Sequence, residues 1–371
     1  MAELLRSLLR LSEKAANIAR ICREEAPLFQ LLVQEKTGDD KTKKCLRDFK
    51  TLADVVIQEM IRHDLVAQFP QLTGFIYGEE SNKFENSLGE SIQVTVCSCE
   101  EDTAALLATV LDGHQAAADL LAQAIHQDLQ LTDEAAESLE LLLCPSEVAI
   151  WIDPIDGTSQ YIEGREVVVP EEEVCPSGLH CALVLIGVYL RATGEPVIGV
   201  INQPFAGQGS KGQHFWGVSF GSIKASSISG PTHRSEELLS VVLSSSEKQN
   251  VKVALSPLCG GKLTYASGAG YKILCVILGL VDAYVLSEGS TYKWDSCGPH
   301  AILRALGGGI VDLAECIGCL QEDEYQHIEL KYHQPKPGSQ GAECWANHGG
   351  LVAYLDSAKL KRVIGALSGK V

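Results

Sequence analysis

The chain has 371 residues, 46% apolar and 21% charged, with a formal net charge of −18. That balance describes an ordinary folded protein rather than a disordered or fibrous one, and the excess of acid argues against nucleic acid or an anionic membrane as partner. No apolar run approaches the roughly 20 residues needed to span a bilayer, and the 13 scattered cysteines fit reduced, buried thiols better than a disulfide framework. A cytoplasmic protein is expected.

From the N-terminus, an amphipathic helical portion is predicted to about Gln34, then a polar, lysine-rich turn over residues 38–44. The Thr51-x-x-Asp54 spacing ahead of Val55, Val56 and Ile57 fits a helix capping box, and Phe69-Pro70 ends that helix. Asp54 therefore has a structural role open to it as a capping residue. Strand-like Gly74-Phe75-Ile76-Tyr77 runs into Gly78-Glu79-Glu80-Ser81, which places two acids at a strand's C-terminal end, where open α/β sheets bind ligands. Adjacent acids alone are usually just solvated.

Residues 84–164 contain no Lys or Arg. We expect a solvated acidic lobe near the site, with an alanine-rich helix over residues 112–127, or disorder in its more polar parts. At its end, Val148-Ala149-Ile150-Trp151-Ile152 leads into Asp153-Pro154-Ile155-Asp156-Gly157-Thr158. In a four-residue turn the end Cα atoms lie within about 7 Å, so Asp153 and Asp156 would face one ion pocket, with Pro154 at the second turn position. Gly157 and Thr158 would open a helix able to receive phosphate, while hard carboxylate oxygens suit Mg²⁺. Read by itself, the motif is more often merely a surface turn.

Strands recur over residues 179–189 and 196–201 in an order that resembles an antiparallel sheet, followed by a Gly/Ser-rich loop over 206–232 interrupted by Phe215-Trp216. In the C-terminal half, strands over 239–245 and 283–286 alternate with helices in a more parallel α/β manner, and residues 275–281 form a short buried helix. Asp295, in Lys293-Trp294-Asp295, stands near the start of a helix stopped by Gly307-Gly308-Gly309, where a helix cap is its plainest role. Cys97-x-Cys99 and Cys316-x-x-Cys319 lack the second pair a zinc site needs, and His300 reads as a packed helix residue.

Glu79-Glu80, Asp153-Pro154-Ile155-Asp156-Gly157-Thr158 and Trp294-Asp295, in that order, resemble the Mg²⁺-dependent, lithium-inhibited phosphomonoesterase family. That family includes inositol monophosphatase, bisphosphate nucleotidase and fructose-1,6-bisphosphatase. The resemblance extends over nearly the whole chain, from residues 12–20 through 48–54 to Trp345-Ala346-Asn347, and is strongest to the branch that removes the 1-phosphate of inositol polyphosphates. Departures are local: the segment around 208–234 is short, and Gly157 stands where some members carry Ser.

The resemblance implies an αβαβα sandwich of α/β (layered α+β) class, built as one catalytic unit over 1–371, with most metal ligands in an N-terminal half (1–205) and Asp295 in a C-terminal half (236–371). Glu79, Asp153 and the Ile155 carbonyl would hold one Mg²⁺, and Asp153, Asp156 and Asp295 a second, with a third site near Glu80 and Asp54. Thr158 paired with Asp54 would orient and deprotonate the attacking water. Gly157, Ser246, Lys248, Gly268, Ala269, Lys272 and Ser290 would join Asp156 and Thr158 in holding the substrate.

Li⁺ is the implied inhibitor, and the expected partner is a small inositol polyphosphate, inositol 1,4-bisphosphate or 1,3,4-trisphosphate, met by a monomer. A 3′(2′),5′-bisphosphate nucleotidase and a catalytically silent phosphate-binding scaffold remain as alternatives.

Overall fold

The computed structural model describes residues 3–24, 33–35, 49–86, 89–167, 173–206, 212–229, 237–319, 325 and 327–371. Two sheets alternate with three helical layers. The first sheet has six strands: β1 (Ile76–Gly78), β2 (Val148–Asp156), β3 (Leu183–Leu190), β4 (Pro196–Gln203), β5 (Gln213–Phe220) and β6 (Ile223–Ser226). They lie in the order β6-β5-β4-β3-β2-β1, every pair antiparallel except β1 with β2. One face carries α1 (Glu3–Glu24) and α2 (Leu52–Gln68).

Strand β2 is buried along its whole length. Its period of two sends Val148, Ile150 and Ile152 into the core under α1 and α2, and Ala149 and Trp151 into the core on the other side. That second core holds α7 (Ala269–Ile277) and α8 (Lys293–Ala305) between the sheets.

The second sheet has five strands, β7 (Val241–Leu243), β8 (Thr264–Tyr265), β9 (Ala283–Leu286), β10 (Gly309–Asp312) and β11 (Leu351–Tyr354), in the order β8-β7-β9-β11-β10. Its far face is covered by α6 (Gln249–Leu255), α9 (Leu313–Gly318) and α10 (Ser357–Leu367), which bury Leu360, Val363, Ile364 and Leu367. The layers therefore run α, β, α, β, α, as expected.

Helix α8 approaches the first sheet unusually closely. Gly187, Gly199 and Gly217 lie in register across β3, β4 and β5. A Cβ at Gly187 or Gly199 would strike the main chain of Gly298, and one at Gly217 the Ile302 Cα. The three missing side chains make the groove in which α8 rests.

Three expectations need correction. The first helix ends at Glu24, and Gln34 lies instead in a short strand, Val33–Glu35, antiparallel to Phe49–Thr51. The lysine-rich turn at 38–44 falls outside the described residues. The stretch read as a loop around Phe215-Trp216 is the β5–β6 hairpin, whose half-buried positions and Gly and Ser residues weaken the apolar alternation. In the second sheet β7 runs parallel to β9, as expected for 239–245 and 283–286, and to β8, while β11, not foreseen, is antiparallel to both its neighbours.

The acidic lobe, finally, is a packed helical pair, α3 (Glu100–Val110) and α4 (Gln115–His126), with Leu107, Val110, Leu121 and Ile125 in the first core. Its α4 packs on α1, and Ile125 and His126 line a cavity together with Lys14, Asp64 and Gln68, toward the end of α2 remote from Asp54.

Candidate active site

Asp153 to Asp156 do not form a turn. They remain in β2, but Asp153 pairs with Leu185 and Asp156 with Leu183, so β2 carries one extra residue there. Residues three apart on a regular strand face opposite sides, and a single-residue bulge restores them to the same side. Both carboxylates are buried, at 0% and 3% exposure.

Asp295 reaches them from α8. It is the third residue of that helix, and its Oδ2 accepts the N–H of the capping residue Tyr292 at 2.6 Å. The N-cap is thus Tyr292 rather than Asp295, which instead closes the box from the third helical position, and carboxylate oxygens of Asp153, Asp156 and Asp295 all lie within 4.8 Å of one another. Asp156 is further fixed by the Gly270 N–H, 2.9 Å from its Oδ2. Three buried carboxylates so placed form a hard oxygen donor set, the kind that suits Mg²⁺ or Ca²⁺ rather than a softer ion.

The two glutamates flank this trio. Glu79 follows β1 directly and donates its N–H to the Ile152 carbonyl at 3.2 Å, which sets it beside Asp153. Glu80 is buried and clamped through its main chain, its N–H donating to Gln58 Oε1 at 3.0 Å while Gln58 Nε2 donates to its carbonyl. Gln58 also fills the space beside Gly78, leaving no room there for a Cβ. Sequence reading passed Gln58 over, although it stands four residues after Asp54 on the same face of α2.

Asp54 completes the predicted capping box, with its Oδ2 accepting the Thr51 N–H at 2.6 Å and the Thr51 hydroxyl at 2.7 Å. Burial pushes the Cys22 thiol up to about 12, with the Asp54 charge adding to it. Burial likewise raises the Tyr161 phenol, and Asp54 contributes there too. The strand Phe49–Thr51 that leads into Asp54 packs against α5 (Thr158–Glu163), the short helix whose first residue is Thr158. The Thr158 hydroxyl donates to the Ile155 carbonyl at 3.1 Å. Gly157 caps α5 at φ +83, and a Cβ there would come within 2.9 Å of the Cys181 carbonyl, so any side chain would be strained here.

The expected substrate residues gather at the ends of the second sheet's strands. Ser246 and Lys248 are exposed, with Lys248 Nζ 3.9 Å from Glu288 Oε1. Buried Glu247 between them accepts from the Ser287 N–H at 3.0 Å and from the Ser287 hydroxyl, tying this loop to the one that carries Ser290. That carboxylate also escaped the sequence reading, because its partner lies 40 positions away.

Gly268 and Ala269 open α7. Lys272, read from sequence as a phosphate-binding ammonium, is 5% exposed and donates to the Gly268 and Ala266 carbonyls at 2.7 and 3.3 Å. Burial lowers its pKa while the Asp156 charge raises it. Its direct bonds hold the Gly268 loop.

Aromatic residues stand behind the acids. Tyr77 precedes Glu79 by two positions, Trp151 precedes Asp153 by two and Trp294 precedes Asp295 by one. Trp151 has ring centroids 5.1 Å from Tyr77, 5.8 Å from Trp294 and 4.9 Å from Trp345. This stiff packing sets the strands and helix that carry the carboxylates.

The inositol monophosphatase family model matches residues 85–359. The chain belongs to the inositol monophosphatase family. It is 47% identical to the inositol polyphosphate 1-phosphatase of Mus musculus over 385 residues, covering 99% of this chain and 97% of that protein. It is 28% identical to the human 3′(2′),5′-bisphosphate nucleotidase 1, covering 73% of each. Among solved structures, an inositol monophosphatase from Zymomonas mobilis superposes with a TM-score of 0.52 at 16% identity, covering 98% of this chain and 97% of that one, a likeness of fold. Among the described residues, no helix is long and apolar enough to cross a membrane.

Proposed function

We propose that this member of the inositol monophosphatase family is a divalent-metal-dependent phosphomonoesterase that removes the 1-phosphate from inositol 1,4-bisphosphate and inositol 1,3,4-trisphosphate. The observation that carries the metal chemistry is the convergence of buried Asp153, Asp156 and Asp295 to within 4.8 Å from two parts of the fold. The choice of substrate rests on the identity over almost the full length of the mouse 1-phosphatase.

Glu79, Asp153 and the Ile155 carbonyl would hold one Mg²⁺, Asp153, Asp156 and Asp295 a second, and Glu80 with Asp54 a third. Bound ions supply charge stabilisation to the phosphoryl and leaving oxygens. The chain's own groups do the rest. The Thr158 hydroxyl leaves the Ile155 carbonyl to orient the attacking water, and Asp54, fixed by Thr51, takes the proton. Gly157 and the start of α5 offer main-chain N–H groups to the phosphate that is cleaved.

Ser246, Lys248, Gly268, Ala269 and Ser290 receive the inositol ring and the remaining phosphate, and Lys272 holds the Gly268 loop in place. Because every proposed ligand comes from one chain, we take 1–371 as a single catalytic unit working as a monomer in the cytoplasm. Li⁺ would inhibit by replacing one Mg²⁺.

The test is hydrolysis of a panel of inositol phosphates and adenosine bisphosphates with and without Mg²⁺. Release of the 1-phosphate from inositol 1,4-bisphosphate only with Mg²⁺ is expected. Preference for the adenosine bisphosphates would make the protein a nucleotidase, and hydrolysis of none would leave a phosphate-binding scaffold.

A further inference from the structure

Asp295 is the one carboxylate of the trio not carried by β2, so its position depends on how the first turn of α8 is anchored. That anchor is Asn347. Its side chain is 2% exposed, and Nδ2 lies 3.2 Å from Thr291 Oγ1, 3.1 Å from the Tyr292 carbonyl and 3.2 Å from Ser296 Oγ. Its own N–H donates to the Thr291 carbonyl at 2.7 Å, and its neighbour Ala346 forms an antiparallel bridge with Tyr292. The residue so gripped, Tyr292, is the one whose N–H binds Asp295 Oδ2 at 2.6 Å. A single amide thus holds residues on both sides of the ligand, Thr291 and Tyr292 before it and Ser296 after it.

We propose that Asn347 is a positioning residue for the divalent-metal centre, acting through Tyr292 to fix the carboxylate of Asp295. This rests on the metal-dependent reading given above. Groups that hold a metal ligand from behind typically influence affinity by about 10–100-fold. Oδ2 of Asp295 is held by the cap, and that bond restricts how the carboxylate turns toward Asp153 and Asp156. Without the amide, the Tyr292 carbonyl and two hydroxyls lose their shared donor, and the first turn of α8 is freed to shift. The expected signature is weaker ion binding with the chemical step intact once ions saturate.

The test is isothermal titration of the full-length protein with Mg²⁺ alone, alongside Mg²⁺ dependence of turnover. Asn347→Leu, similar in size but without donors, should weaken Mg²⁺ binding and raise the half-saturating Mg²⁺ by about 10–100-fold, with kcat at saturating Mg²⁺ within about three-fold of the parent. Asn202→Leu serves as the control for lost stability, since Asn202 is equally buried but its Nδ2 bonds Ser12 and Glu13 beneath α1. It should lower the melting temperature and leave Mg²⁺ binding unchanged.

Should Asn347→Leu fail to fold, Thr291→Val removes one acceptor and should weaken Mg²⁺ binding by a few-fold. Asp295→Asn separates the two readings. Unchanged binding in Asn347→Leu, or in Thr291→Val where that variant stands in, with binding lost in Asp295→Asn overturns the positioning role alone. Unchanged binding in Asp295→Asn as well overturns the metal centre and this role with it.

Discussion

The Gly270 N–H donates to Oδ2 of Asp156 at 2.9 Å, joining the first turn of α7 to the bulge in β2. Gly270 can do this only while it lacks a side chain. A Cβ there would stand 2.7 Å from Leu185 Cδ1 and 3.0 Å from Asp156 Oδ2 itself. Gly270→Ala should therefore push the carboxylate aside and cut turnover by about 10–100-fold. Steady-state kinetics across a Mg²⁺ series will show it, and parent-like activity would mean that this contact does not set the Asp156 position.

Asp153 is assigned to two ions at once. Asp153→Asn keeps the shape and removes the charge, so turnover should fall by at least about 100-fold and Mg²⁺ binding should weaken in calorimetry. Retention of activity would exclude Asp153 as a ligand.

Thr158 tests the water-orienting step. Thr158→Ala should lower kcat by about 10²–10⁴-fold with little change in substrate affinity. An equal loss in substrate binding, measured as a dissociation constant with Ca²⁺ in place of Mg²⁺, would make it a binding residue instead.

Acid stability should report on His300, which is fully buried, with Nδ1 3.0 Å from the Tyr332 hydroxyl. Burial holds its pKa below the ordinary 6.5, although nearby Glu329 pulls it upward. The native state thus resists a proton that the unfolded chain accepts. The stability from neutral His300 is complete above about pH 6.5 and is lost as the pH falls below it, by up to about 1.4 kcal/mol per unit. Urea unfolding between pH 5 and 8 should show this slope in the parent and a flatter one in His300→Gln.

Much of the site was legible before the structure because its chemistry is written in short motifs. Asp153 and Asp156 are three residues apart, Glu79 and Glu80 are adjacent, and the Thr51–Asp54 capping box is a purely local device that the structure reproduces. The bulge was not legible. Its signature is the loss of one residue of register against Leu183 and Leu185 on another strand, and the motif alone fits a turn equally well.

Gln58 and Glu247 were missed for a similar reason. Each works through a partner far along the chain, the Glu80 main chain in one case and Ser287 in the other. Lys272 shows what a local motif leaves out: a lysine beside a glycine-rich loop invites a phosphate, and the sequence does not show that its ammonium is buried against two carbonyls of that loop. The β5–β6 hairpin was mistaken for a loop because local composition, rich in Gly and Ser, outweighed a weak alternation.

With Gly187, Gly199 and Gly217 leaving bare backbone under α8, nothing compressible separates that helix from the sheet. One methyl group added at Gly199 would meet the Gly298 carbonyl and lever the helix outward, carrying Asp295 with it three residues away. Some of the most damaging single-atom changes to this enzyme should therefore lie on the hidden seat of a helix, where neither ion nor phosphate ever touches, and a scan confined to pocket-facing side chains would pass them by.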